Sequence, residues 1–131
     1  MDTSETYIKM NQMAMEIQNS KSEQGLAHGD YCYDRVSGRW DIIYDESRGY
    51  RYGLIGGMIW LPRQDQLQEM VGGYFHARIM WGEWLEYVYP HLGYGDPFDL
   101  QNRFTSFEQE WLAFVMKEKF GKVWNGIEWM T

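Results

Sequence analysis

At 131 residues the chain is long enough for one core that buries about two-thirds of the surface its unfolded form exposes. Formal net charge is −7: residues 1–64 carry nine acids against seven bases, 65–110 eight against two, and 111–131 two against three. No basic stripe is left for a phosphate backbone, so direct nucleic-acid binding is not expected. Cys32 is alone, which excludes an intramolecular disulfide and a cysteine-rich zinc site.

The elements follow in chain order. Asp2 with Glu5 has the spacing of a capping box, and Tyr7, Met10, Ala14 and Ile17 recur at helical intervals with Met13 alongside. They predict an N-terminal helix within residues 1–20, from about Asp2 to Gln18. Asn19 to Gly29 is polar and reads as a loop. Residues 30–60 then become aromatic and β-branched in three runs, Tyr31–Tyr33, Trp40–Tyr44 and Tyr50–Trp60. Turn chemistry separates them at Val36-Ser37-Gly38 and Ser47-Arg48-Gly49, so a three-stranded antiparallel meander is expected. Gly53, Gly56 and Gly57 weaken the third run, which places its strand either over a bulge or only from about Met58.

Pro62 stops that strand, and Leu67, Met70 and Val71 form the buried side of a short helix over 62–72, ended by Gly72-Gly73. Trp81, Trp84, Leu85 and Val88 match the i, i+3, i+4, i+7 pattern and predict a helix over 77–89 closed by Pro90, with a strand for Phe75–Met80 as the competing reading. Pro90 to Arg103 reads as a long loop.

Thr105 and Glu108 form the second capping-box spacing, opening a helix over 105–120. Phe107, Trp111, Phe114, Val115 and Glu118 share one side of it, with Leu112, Met116 and Phe120 adjoining. So wide a stripe predicts burial on most of the circumference. Glu108 and Glu110 near its start and Lys117, Lys119 and Lys122 near its end suit the helix dipole, and Gly121 ends it. In residues 122–130, Asn125-Gly126 between two apolar runs predicts a hairpin with a type I′ turn. Together these elements give a single α+β domain over 1–131: a small antiparallel sheet with three to four helices, and a hairpin whose Trp124 and Trp129 pack on the sheet, the helix or a second subunit.

Two strings, IWLPRQDQLQEMV (59–71) and SFEQEWLAFVMKEKFGKVWNGIEW (106–129), resemble those of a family of small, uncharacterised proteins of bacteriophages and prophages. The resemblance spans roughly the second half of the chain, with a loosely similar N-terminal helix. It implies a mobile-element origin and carries no biochemical activity with it.

Seven Trp, ten Tyr and six Phe supply ring area for a core and also for interfaces, where the polar tips of Tyr and Trp are useful. The leading functional reading is non-enzymatic protein–protein contact through the acidic, aromatic-bearing surface of residues 65–110. Trp81, Glu83, Glu86, Asp96 and Asp99 are its contact residues, and a bacterial host factor is the partner; a homodimer is also compatible. A second reading is a nucleobase- or nucleoside-like ligand stacked on Trp60 or Trp124, its polar edge read by Arg63, Asp65 or Gln68. Third comes a metal-dependent enzyme using His76, Glu83 and Glu86 with His91 nearby. No HExxH, EF-hand, phosphate loop or nucleophile elbow supports chemistry of that kind, and Cys32 sits inside a predicted strand as a buried thiol. No catalytic residue, metal ligand or cofactor is therefore assigned. No apolar run approaches a membrane span, and MDTSETYIKM lacks the basic and apolar regions of a signal peptide, so a cytoplasmic place in the bacterial host is expected.

Overall fold

The computed structural model describes residues 1–44, 57–92 and 104–131. The expected turn at Ser47-Arg48-Gly49, the early part of the third aromatic run, and Asp96 and Asp99 lie outside them. Among the described residues the fold is α+β, with five α-helices, a three-stranded antiparallel sheet and a two-stranded ribbon. The chain divides into two compact units, one of Met1–Arg63 with Ile127–Trp129 and the other of Gln64–Gly126 with Met130–Thr131.

The first unit opens with α1 (Glu5–Met13), and its cap is Ser4 rather than the Asp2/Glu5 box. Ser4 is extended, its Oγ accepts from Tyr7 N–H at 3.2 Å, and Asp2 in turn accepts from Ser4 N–H at 2.8 Å. The expected single helix breaks at Ala14 (φ −84°, ψ 68°) and resumes as α2 (Met15–Gln24). Asn11 supplies a reason: its buried side-chain amide donates back to Tyr7 O at 2.9 Å, the i−4 bond that perturbs a helical ladder. Tyr7, Met10, Ala14 and Ile17 are all buried, as their spacing required. Because α2 runs on to Gln24, the first part of the predicted loop is helical, and Gly25 (φ 81°) ends it.

Strands β1 (Tyr31–Asp34), β2 (Arg39–Ile42) and β3 (Met58–Leu61) pair antiparallel in the order β2-β1-β3, so β1 is central and the order is not the sequential one of a meander. Burial explains the order. Ile59, Trp60 and Leu61 are buried and need the cover of α1 and α2, whereas Arg39, Trp40 and Asp41 are exposed and suit the outer edge. The register sets Cys32 opposite Asp41 on one side and Trp60 on the other. Side chains then close the backbone groups around β3. Gln18 accepts from Trp60 N–H and donates to Trp60 O, both at 2.9 Å, and Tyr7 Oη donates to Pro62 O at 2.6 Å. Trp129 donates its indole N–H to Met10 O at 2.9 Å, which gives one of the hairpin tryptophans its place.

Cys32 is fully buried, and its Sγ donates to Asp41 O at 3.7 Å. Desolvation, followed by the charges of Asp41, Asp34 and Asp30, pushes the thiol up to about 11. It is therefore expected to resist thiol reagents at pH 8 in the folded protein and to react once urea unfolds it. A raised thiol pKa favours the folded state below the unfolded value near 9.0, and that contribution is lost as pH climbs through about 11. Compared with Cys32→Ala in urea titrations, the wild-type protein should lose stability over that window while the variant shows no such loss from this group.

In the second unit α3 (Gln64–Met70) and α4 (Tyr74–Glu83) meet at Gly72-Gly73, both with positive φ (102° and 84°). Helical structure continues through a π-turn over Trp84–Val88 and a 3₁₀ turn over Tyr89–His91. The helical reading of 77–89 thus holds, begins earlier than expected, and replaces the competing strand at Phe75–Met80. Helix α5 (Phe107–Phe120) starts one residue later than the Thr105/Glu108 box implies. Ser106 is the cap, accepting from Gln109 N–H at 3.2 Å, while the Gln109 amide reaches back to Thr105 N–H at 3.2 Å and to its hydroxyl at 3.1 Å. A buried Gln109 is satisfied that way, which a Thr105 cap would not achieve.

Six consecutive residues of α5, Trp111–Met116, are buried, so the helix is enclosed on most sides as expected, although Phe107 and Glu118 are exposed. Gly121 (φ 67°) ends it in the left-handed conformation, with its own N–H on Lys117 O, the bond of the αL cap, and Lys122 N–H on Met116 O. Strands β4 (Val123–Trp124) and β5 (Trp129–Met130) form the ribbon. Its turn differs from type I′: Gly126 has φ 101° but Asn125 has no positive φ, and Asn125–Glu128 make a four-residue connection.

Candidate interaction surface

The rotation of α4 is fixed by rings. Trp84 is buried and meets Phe114 edge-on at 5.4 Å and Tyr89 at 4.8 Å, while Trp81 stacks on Trp111 at 4.2 Å with the planes 17° apart. Phe114 also meets Trp81 and Trp111 edge-on, so five rings lock together in offset and perpendicular contacts that each favour the ring quadrupoles. With Ala77, Trp81 and Trp84 held inward, the 100° step of the helix turns Phe75, Arg78, Ile79, Gly82 and Glu83 outward.

What faces outward is unusual for a solvated helix. Phe75 is 79% exposed and Ile79, one turn on, 66%. Tyr74 and Tyr87 are also exposed, Gly82 has nothing near the place a Cβ would occupy, and Glu83 and Glu86 border the apolar strip. Scattered exposed apolar residues need no account, but large ones one turn apart on a single helix face make a candidate contact surface. The π-turn that follows widens the backbone and carries Glu86 and Tyr87 to solvent while Trp84 stays inside; such turns are frequent at functional sites.

Of the expected contact residues, Glu83 and Glu86 are exposed, while Trp81 is half-buried and its ring is engaged by Trp111. Phe75 and Ile79 are not among the contact residues expected from the sequence. The signal was present as a second apolar stripe out of phase with Trp81, Trp84 and Val88, and it was obscured by the competing strand reading of the same residues.

The residues proposed to hold a ring-shaped ligand fall in different surroundings. Trp60 is buried, with the Lys21 ammonium 4.7 Å from its ring centroid, so it presents no open face. Trp124 is buried too. Arg63 donates to Gly29 O at 2.5 Å, and Asp65 and Gln68 lie on α3, Asp65 exposed and Gln68 half-buried. Among the described residues no group of three or more His, Cys, Asp or Glu side chains is arranged to hold a metal ion, so His76, Glu83, Glu86 and His91 are not drawn together. Nor is any helix among them long and apolar enough to cross a membrane. Compared with known proteins, the chain matches no family model, no curated sequence and no solved structure.

Proposed function

We propose that this chain is an accessory protein of a bacteriophage or prophage that works in the host cytoplasm by binding another protein through the outer face of α4. The observation that carries the reading is the exposure of Phe75 and Ile79 one turn apart on a helix whose opposite face is locked into an aromatic core. The resemblance of residues 59–71 and 106–129 to phage proteins supports the origin. Its partner is a host protein offering an apolar cleft edged by lysine or arginine, since Glu83 and Glu86 border the strip and the chain carries a net charge of −7.

Aromatic anchors of this kind dominate interface energies. Phe75→Ser is expected to weaken partner binding by about 2 kcal/mol, roughly 30-fold. The paired reversal Glu83→Lys/Glu86→Lys should slow association and flatten or invert its dependence on salt, because screening then weakens a repulsion rather than an attraction. Capture from a host lysate, quantified for wild type, both variants and the control Val36→Ser, is the measurement. Val36 is 86% exposed and belongs to the first unit, so its variant should capture as wild type does. Equal capture by all four proteins would remove α4 as the contact face.

A further inference from the structure

We propose that the outer edge of β3 in the first unit, which no strand among the described residues covers, binds beside Arg35 a small anion that carries a carboxamide or lactam edge. Trp60 shows the chemistry the edge accepts. Its N–H and C=O point away from β1, and the Gln18 carboxamide pairs with both at once, each at 2.9 Å. Backbone direction repeats every second residue in a strand, so Met58 turns its own N–H and C=O to the same side. There they meet a groove of about 140 Å³ lined by Gln12, Met15, Gln18, Asn19, Ser22 and Arg35.

The groove is mostly polar and holds one cation. Arg35 Nε donates to Gly57 O at 3.0 Å, which fixes the guanidinium, and no carboxylate among the described residues pairs with its Nη atoms. Asn19, Gln12 and Ser22 add an amide or hydroxyl apiece, and Met15 and Met58 form an apolar wall. The volume is close to that of a cavity that admits benzene, so the occupant has about six to ten heavy atoms.

A peptide strand is a poor fit. Strand addition needs a row of open backbone groups, and Gln18 already fills the pair at Trp60, leaving a single residue of edge. A planar donor–acceptor edge at Met58 with a negative group near Arg35 uses every feature of the groove. The site lies in the first unit and is independent of the α4 face.

The test is ¹H–¹⁵N NMR of the full chain titrated with succinamate, which has both a carboxamide and a carboxylate. Succinate, which lacks the donor, and succinamide, which lacks the charge, serve as the paired probes. Succinamate is expected to shift the Met58 amide and to bind at least about tenfold more tightly than either relative, since each lacks one charge-assisted or backbone contact. Arg35→Met should weaken it by about the same factor. Asn19→Trp, an exposed helical position on the groove wall, should abolish it while leaving the rest of the spectrum in place. No shift at Met58 with succinamate, equal shifts with all three probes, or unchanged binding to Asn19→Trp would each overturn the proposal. If Arg35→Met disturbs the spectrum elsewhere, Asn19→Trp alone decides.

Discussion

Asp30→Ala is expected to destabilise the first unit by about 3 to 5 kcal/mol, because it removes one partner from a buried charge pair and leaves the other uncompensated. Asp30 and Lys21 are 2% and 8% exposed, and Lys21 Nζ lies 2.8 Å from Asp30 Oδ2. The same carboxylate oxygen accepts from Ala27 N–H at 2.7 Å, so alanine also strands a backbone donor in the turn that leads into β1. Lys21 in turn lies over the Trp60 ring, and an ammonium without its carboxylate is left against an indole in a desolvated place. The double variant Lys21→Met/Asp30→Asn keeps an acceptor for Ala27 and removes both charges. It should be more stable than Asp30→Ala despite carrying two changes, and urea denaturation followed by tryptophan fluorescence measures both. A double variant no more stable than Asp30→Ala would show that an unpaired Lys21 charge is not what makes the loss large.

The second large effect is expected in the aromatic core of the other unit. Trp84→Ala empties the centre of a cluster whose members are Trp81, Tyr89 and Phe114, and the cavity it leaves should cost about 3 to 5 kcal/mol. Trp84→Phe leaves a smaller cavity and should cost clearly less than Trp84→Ala. The reason is specific: Trp84 Nε1 is buried and has no acceptor, so the smaller ring gives up volume but no hydrogen bond, and it relieves an unsatisfied donor. Thermal melts of the two variants separate the cases. A Phe variant as damaged as the Ala variant would mean that the indole N–H is engaged after all.

Loss of Trp84 also bears on the proposed contact face. Phe75 and Ile79 point outward because Trp81 and Trp84 point inward, so Trp84→Ala should weaken partner capture as well as stability. Phe75→Ser separates the two effects, since Phe75 is exposed and among the described residues makes one ring contact, to its neighbour Tyr74 at 5.8 Å. Capture is expected to fall while the melting temperature stays near the wild-type value.

Much of the fold was legible because local signals agreed with what the packing needed. Tyr7, Met10, Ala14 and Ile17 share a helical face and are buried; Gly121 follows a lysine-rich helix end and adopts the left-handed conformation that closes it; six consecutive residues of α5 are enclosed because their stripe was too wide for a surface helix. Helix starts were read one or two residues away from their true caps. Ser, Thr and Asp compete for the same few N–H groups, and at α5 the choice of Ser106 is made by the need to satisfy a buried Gln109, which no spacing rule contains.

The candidate surfaces were less legible. Sequence determined the composition of residues 74–89 as aromatic and acidic with helical periodicity, and with it the presence of an apolar stripe around Trp81 and Trp84. Only the tertiary structure decided which of two stripes was covered, because Trp111 and Phe114 arrive from α5 to claim one and leave Phe75 and Ile79 to solvent. The edge of β3 follows the same rule. Its apolar run is written in the chain, but the strand order that makes it an edge among the described residues and the Gln18 carboxamide that fills Trp60 depend on contacts between residues about 40 positions apart. Local pattern fixes which element a residue joins; long-range packing decides which of its faces remains free to bind.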